Sequence, residues 1–298
     1  MLYRNLSGYF REKYGKRLSK ICIDGGFSCP NRDGTVGVGG CIYCGERGAG
    51  EHITGGDITS QVRRALDAAK EGEEFVAYFQ NFTNTYAEPS VLRERYDAAL
   101  IDERIRVLAI GTRPDCISPE VCELIASYSD RVDVWVELGL QTANDRTAEI
   151  INRGYKTEVF DKAVKLLSEY SIPVVVHLIV GLPTEGREEI EETVRHLSTM
   201  PIWGIKIHSI YVSRGTRLAE MYASHEYEPP TEDEYLQSVI YILTHISPKT
   251  VVHRLTGDCP EGQLIAPEWN RNKHALIEKI NEEMKSRGLR QGCLYNPD

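Results

Sequence analysis

No apolar run in this 298-residue chain approaches the roughly 20 residues that a membrane-crossing helix needs. The opening stretch, MLYRNLSGYFREKYGK, also lacks the apolar core of a secretory signal, so a cytoplasmic protein is expected. No short repeat, low-complexity tract or Pro/Gly/Ser-rich linker divides the chain. What remains is a soluble globular composition, 41% hydrophobic and 27% charged, sized for one large α/β barrel or two modest domains. Surplus positive charge is lacking too. The net charge of −9 argues against a general nucleic-acid binder.

That charge is uneven. Residues 1–50 carry a net +4, residues 51–252 a net −13, and residues 253–298 balance. Arg4, Arg11, Lys13, Lys16, Arg17 and Lys20 therefore suit either a phosphate backbone or a solvated helix face.

Apolar, β-branched runs alternate with amphipathic segments at intervals of roughly 30 residues, the rhythm of βα units. Strands are expected at 18–24, 75–80, 105–111, 132–140, 173–181 and 204–212, and helices at 58–70, 90–101, 119–127, 158–170 and 188–198. Ser118, ahead of Pro119 and Glu120, reads as a helix cap, and Thr157 reads similarly. Six such units predict an α/β fold, a partial (β/α)6 TIM-like barrel over residues 1–240. Beyond the six units a helix is expected at 232–245, leading into a small C-terminal α/β extension over 241–298 with a strand at 250–255 and a helix at 273–287, which closes the barrel's side.

One connection breaks the rhythm. Residues 25–56 follow the first strand with many glycines and no helical period. A loop this long inside a compact domain is usually functional, and in a parallel barrel it lies at the face where active sites form.

Three of the eight cysteines, Cys29, Cys41 and Cys44, fall in this loop. Covalent staples are not expected in a reducing compartment, so the clustering points to a metal site. Glycines at 34, 37, 39 and 40 let the backbone wrap a bulky inorganic group. Thiolates are the usual ligands of iron–sulfur clusters, whereas structural zinc wants four protein ligands. The zinc alternative would need His52 or a distant cysteine. Cys22, inside the first strand, reads as core, and Cys116, Cys122, Cys259 and Cys293 as packed or inert.

A three-cysteine loop after strand one, with Tyr43 before the last cysteine, resembles the radical S-adenosylmethionine (SAM) superfamily. Cys29-Pro-Asn-Arg-Asp-Gly-Thr, Gly39-Gly40-Cys41-Ile-Tyr-Cys44, Tyr78-Phe79-Gln80 and Thr83-Asn84-Thr85-Tyr86 resemble the bacterial YtqA/YhcC-type group. Thr112-Arg-Pro-Asp115, Glu137-Leu-Gly-Leu-Gln141, Asn152-Arg-Gly-Tyr155, His177-Leu-Ile-Val-Gly-Leu-Pro183 and Arg214-Gly-Thr216 are similar, in order, to the radical SAM domain of the Elongator catalytic subunit. The chain departs from the commonest pattern in the 11 residues between Cys29 and Cys41. Too little chain follows the barrel for an acetyltransferase domain, so acetyl-CoA chemistry is not carried over.

The resemblance implies a [4Fe–4S] cluster on Cys29, Cys41 and Cys44, with one iron open to SAM and a 5′-deoxyadenosyl radical as the reactive species. It implies SAM contacts from Tyr43, Gln80, Glu137, Gln141 and Arg153. Glu137 would serve a ribose diol or an ammonium, Gln80 the methionyl amine, and Arg153 the methionyl carboxylate. An ordinary structural hydrogen bond is the competing role for each, and His177 reads as a buried, satisfied histidine. Arg113 and Asp115 read as a salt bridge at the barrel rim. The implied substrate is a transfer-RNA wobble uridine, its 5-carboxymethylaminomethyl branch becoming aminomethyl. A reducing electron donor and a downstream methyltransferase are the implied partners. The other classes left open are a radical SAM enzyme for a tetrapyrrole-like small molecule and a non-catalytic zinc-containing RNA-binding protein.

Overall fold

Within each apolar run, alternate side chains must point to opposite faces of a strand, and this sorts the sheet into a helix-packed outside and a lined inside. The computed structural model describes residues 2–46, 48, 53, 55–259 and 262–296. Its strands are β1 (Leu18–Ile23), β2 (Glu74–Phe79), β3 (Ile105–Thr112), β4 (Asp133–Gln141), β5 (Val174–Val180), β6 (Gly204–Ser209), β7 (Val212–Ser213), β8 (Val251–Arg254) and β9 (Leu264–Ala266). Its α-helices are α1 (Leu6–Tyr14), α2 (Ile58–Asp67), α3 (Pro89–Ala99), α4 (Pro119–Ala126), α5 (Asp145–Ile150), α6 (Thr157–Glu169), α7 (Arg187–Ser198), α8 (Arg217–Ala223), α9 (Glu232–His245) and α10 (Lys273–Ser286).

The main sheet runs β1-β2-β3-β4-β5-β6-β8, every neighbour parallel. It is a partial α/β barrel, as expected, with one strand more than the six counted from sequence. The sequence pattern assigns the run near 250 to the C-terminal extension. Instead it pairs with β6 as a seventh strand, because Val251 and Val252 find open ladder positions beside Gly204 and Ile205. The expected strand at 204–212 stops at Ser209, and β7 pairs antiparallel with β9 in a separate small sheet.

Outward residues such as Ile21, Ile23, Val136, Leu138, Val176, Ile205 and Ile207 form the large core against the helices. Inward residues at the strand starts, among them Leu18, Val76, Val107, Trp135, Val175 and Val251, form a second apolar layer with Leu6 and Phe10 of α1. Helix α1 thus plugs the N-terminal end of the barrel. Tyr9 meets Trp203 edge-on at 5.1 Å, and Trp203 lies 5.3 Å from Trp135. Ser118 caps α4 as expected, accepting from the Val121 amide at 3.3 Å. Thr157 instead begins α6, and its hydroxyl donates to the Ala143 carbonyl at 3.0 Å.

Candidate active site

The cysteine loop leaves β1 at the end of the barrel opposite α1. Tight turns shape it: the Arg32 and Asp33 amides donate to the Cys29 carbonyl, and the Cys44 amide donates to that of Cys41 at 3.0 Å. Gly40 has φ of +79°, and a Cβ there would stand 2.9 Å from Arg32 Nε. Arg32 needs that space because its Nη2 reaches the Gly45 carbonyl at 2.6 Å and that of Cys44 at 3.3 Å.

The segment after α5 clamps the loop from the side. The Ile42 amide donates to Ile151 at 3.1 Å, Asn31 Nδ2 to the Asn152 carbonyl at 2.6 Å, and Asn152 Nδ2 to Gly40 at 2.8 Å. Asn31 Nδ2 also lies 3.8 Å from Cys41 Sγ. The bond from Cys44, with help from the Arg113 charge, pulls the Cys41 thiol below its ordinary value. The same bond, and then burial, push the Cys44 thiol up, so Cys41 is the thiolate of that pair; thiolates are the usual ligands of an iron–sulfur cluster. Among the described residues, no group of three or more His, Cys, Asp or Glu side chains is disposed to hold a single metal ion. His52, which the zinc alternative invoked, lies outside the described residues.

Cys29, Cys41 and Cys44 line one cavity of about 730 Å³ that continues into the barrel. Just below the loop, Gln80, Gly111, Gly139, Gln141 and Tyr155 line it. Inward-facing glycines keep this level open: a Cβ on Gly111 would come 3.0 Å from the Phe79 carbonyl. Gln141, where the pairing of β4 with β5 slips, adopts φ of +67°. Left-handed backbone in a residue other than glycine is uncommon and collects at functional sites.

Deeper still is a polar layer of Lys20, Cys22, Tyr78, Glu137, His177, Lys206, His208 and Arg254. Buried Glu137 takes hydrogen bonds from Trp135 Nε1 (3.0 Å) and His177 Nε2 (2.8 Å), and an ion pair from Lys206. Burial alone would raise its carboxyl, but Lys206 and then His177 outweigh it, holding Glu137 well below the carboxylate range. Burial, with repulsion from Lys20 and Arg254, pulls Lys206 down to about 7 in spite of Glu137.

The structure brings every sequence-predicted site residue to this cavity. Tyr43 packs beside the thiols, partly buried, and Gln80 follows β2 directly. Arg153 is almost wholly buried. Its Nη1 donates to the Leu140 and Thr142 carbonyls, its Nε to Tyr155, and its Nη2 pairs with Asp145 at 3.4 Å. A methionyl carboxylate at Arg153 would have to displace one of these partners. The Arg113–Asp115 bridge is bidentate, at 2.9 and 2.7 Å, and the Arg113 and Arg153 guanidiniums flank the Tyr155 ring at 4.7 and 4.6 Å.

Three expectations change. Cys22 is not core: alternation sends Ile21 and Ile23 outward and Cys22 into the cavity. His177 is satisfied, as expected, but it too faces the cavity. The basic N-terminal segment is near the cysteines in sequence only. Lys13 pairs with Asp133 at 2.6 Å, Arg4 with Glu12 at 3.2 Å and Lys16 with Glu74 at 3.6 Å, around the plugged end, while Lys20 points inside.

Sequence reasoning missed Asn31 and Asn152, whose partnership is long-range, and the interior cations Lys20, Lys206 and Arg254. The alternation Ile205-Lys206-Ile207-His208 carried a signal for the latter, since it sets polar residues on the inward face of a β-run.

The Radical SAM superfamily profile matches residues 31–197, and the Radical_SAM C-terminal domain profile matches residues 202–286. The chain is 38% identical to YtqA of Bacillus subtilis, over 98% of its own length and 92% of the relative's. It is 28% identical, over 78% of its length, to the tRNA uridine(34) acetyltransferase of Methanocaldococcus infernus, of which it spans 40%. The solved structure of Methanocaldococcus infernus Elp3 matches it with a TM-score of 0.66 at 21% identity, covering 78% of this chain and 59% of that one; the likeness is one of fold.

Proposed function

On the premise that this chain belongs to the radical SAM superfamily, we propose that it modifies the C5 side chain of a transfer-RNA wobble uridine, converting carboxymethylaminomethyl to aminomethyl, the two carboxymethyl carbons leaving as glyoxylate with SAM as the two-electron oxidant and water as the oxygen source. Superfamily membership makes it an iron–sulfur enzyme using a [4Fe–4S] cluster and SAM. The residues present fit the cluster, since three thiols open on one cavity inside a glycine-lined loop. Held by Cys29, Cys41 and Cys44, the cluster would supply, with SAM, one-electron radical chemistry able to act on an unactivated carbon.

The chain's own residues hold and enclose. Cys29, Cys41 and Cys44 are the cluster ligands in this reading, and Asn31, Asn152 and Arg32 fix their loop. Tyr43, Gln80, Gln141 and Glu137 line the cavity beside and beneath the thiols, where SAM contacts are assigned. The floor closed by α1 keeps bulk water from entering behind the reacting groups. A base reaching this depth has to leave its stack, as anticodon-loop bases can. A one-electron reductant and a methyltransferase acting on the aminomethyl product are the partners of this reading.

The observation that carries the proposal is the continuity of the thiol site with a deep polar cavity, in a chain alignable with a tRNA uridine(34) enzyme. The test is anaerobic reconstitution with iron and sulfide, reduction, and addition of SAM with and without bulk transfer RNA. The expected result is 5′-deoxyadenosine formation stimulated by transfer RNA, with a changed wobble nucleoside on digestion. SAM cleavage indifferent to RNA would refute the substrate; a colourless protein that leaves SAM intact would refute the reaction.

A further inference from the structure

The polar layer holds more positive charge than its carboxylates answer. Lys20 has no hydrogen-bond or ion-pair partner among the described residues, and its ammonium sits 5.4 Å from the centre of the Tyr78 ring. The Lys206 ammonium lies 4.2 Å from that ring centre, and its carboxylate partner Glu137 also serves His177. Arg254 Nη2 reaches Asp258 at 2.9 Å, but Asp258 is shared with Lys273. Four cations thus face two carboxylates. His208 Nε2 is buried without a hydrogen-bond partner in the same wall, its ring 5.2 Å from that of His177. Lys206 is buried, Arg254 half-buried, and Lys20 is exposed to the open cavity rather than packed, so an anion entering the cavity can meet all three and form charge-assisted hydrogen bonds.

Depth limits what that anion is. Lys20 and Lys206 each stand three residues before the last residue of their strands, Ile23 and Ser209. At about 3.3 Å per residue, that is about 10 Å below the strand ends. A polynucleotide backbone stays at the mouth; a group on the end of a side chain reaches the floor.

We propose that Lys20, Lys206 and Arg254 form a carboxylate-recognition floor that selects a substrate by the acid at the tip of its side chain. This deepens the preceding reading and rests on it for the route of entry. Lys20 supplies the charge not engaged elsewhere, Lys206 is shared between Glu137 and the incoming acid, and His208 Nε2 donates from the wall. The floor discriminates between a wobble side chain that still carries its carboxymethyl acid and the aminomethyl product that has lost it. Product release follows, because the product keeps the ammonium but has lost the carboxylate that the cationic site held.

The test is equilibrium binding to the cluster-loaded protein with SAM present. The probes are 5-carboxymethylaminomethyluridine and its methyl ester, each as free nucleoside and within an anticodon stem–loop. The acid is expected to bind at least tenfold more tightly than the ester. Lys20→Met should bring that ratio close to one, and Lys20→Arg should preserve it. Lys20→Met replaces a cavity-facing side chain of similar length, and retention of the cluster's visible absorbance checks that it folds. Equal binding of acid and ester, or no measurable binding of either, overturns the proposal. A stem–loop that binds without acid preference overturns the floor and leaves the RNA reading standing. Acid preference with no gain from the stem–loop supports the floor and refutes the RNA reading.

Discussion

Replacing Glu137 by Gln removes the charge on which Trp135, His177 and Lys206 converge. Glutamine keeps one acceptor but turns an amide NH2 toward the remaining donors. Removing one partner of a buried ion pair typically costs about 3–5 kcal/mol, because the other charge is left uncompensated. Lys206 sets the ceiling: its folded pKa is already down to about 7, so it can give up its proton for about 1.4 kcal/mol per pH unit below that value. That ceiling is about 1.4 kcal/mol at pH 6, and at pH 9 Lys206 is already neutral. The expected loss through Lys206 is therefore about 1.4 kcal/mol at pH 6 and close to zero at pH 9, well short of the full ion-pair value.

Urea unfolding of the cluster-free protein, followed by tryptophan fluorescence at both pH values, measures the loss. Lys206→Met and the double variant complete a cycle. The double variant should lose less than the two single losses combined, since it leaves no unpaired partner. An equal loss at both pH values, or a larger loss at pH 9 than at pH 6, would refute the account of a shared buried charge.

Further outcomes follow from other sites. Cys29→Ala, Cys41→Ala and Cys44→Ala should each abolish the iron–sulfur absorbance after reconstitution, while Cys259→Ala retains it; full retention in any of the first three would remove that residue from the ligand set. Glu185 has a buried Oε1 without a hydrogen-bond partner, and burial pushes its carboxyl up to about 7. A folded pKa above the unfolded one means stability fully present below about pH 4, lost as pH rises to 7 and level above it, by about 3–4 kcal/mol at most. Glu185→Gln should flatten that dependence; matching pH profiles for both proteins between pH 5 and 8 would show that the carboxyl is not perturbed.

Much of the site was legible because its information is local. The cysteine spacing lies within one loop, the glycines that let it wrap are beside it, and the outward strand residues repeat with period two. The inner charges were harder to read. Lys206 and His208 alternate correctly with Ile205 and Ile207, yet nothing in β6 says that Glu137 waits across the barrel. The basic segment misled for a related reason: nearness to Cys29 along the chain is undone by β1, which carries α1 and the cysteine loop to opposite ends.

Periodicity, turn chemistry and ligand spacing act between neighbours in the chain, and so the sequence by itself determined the parallel α/β rhythm, the long loop after the first strand and its three thiols. Contacts between residues 40 to 121 positions apart are another matter. Only the curl of the sheet decided that Glu137 meets both His177 and Lys206, that Asn31 grips Asn152, that β8 joins as a seventh strand and that Lys20 faces inward without a carboxylate of its own. Those facts depend on strand tilt and closure, which set the facing partner of each inward side chain and which no single segment encodes.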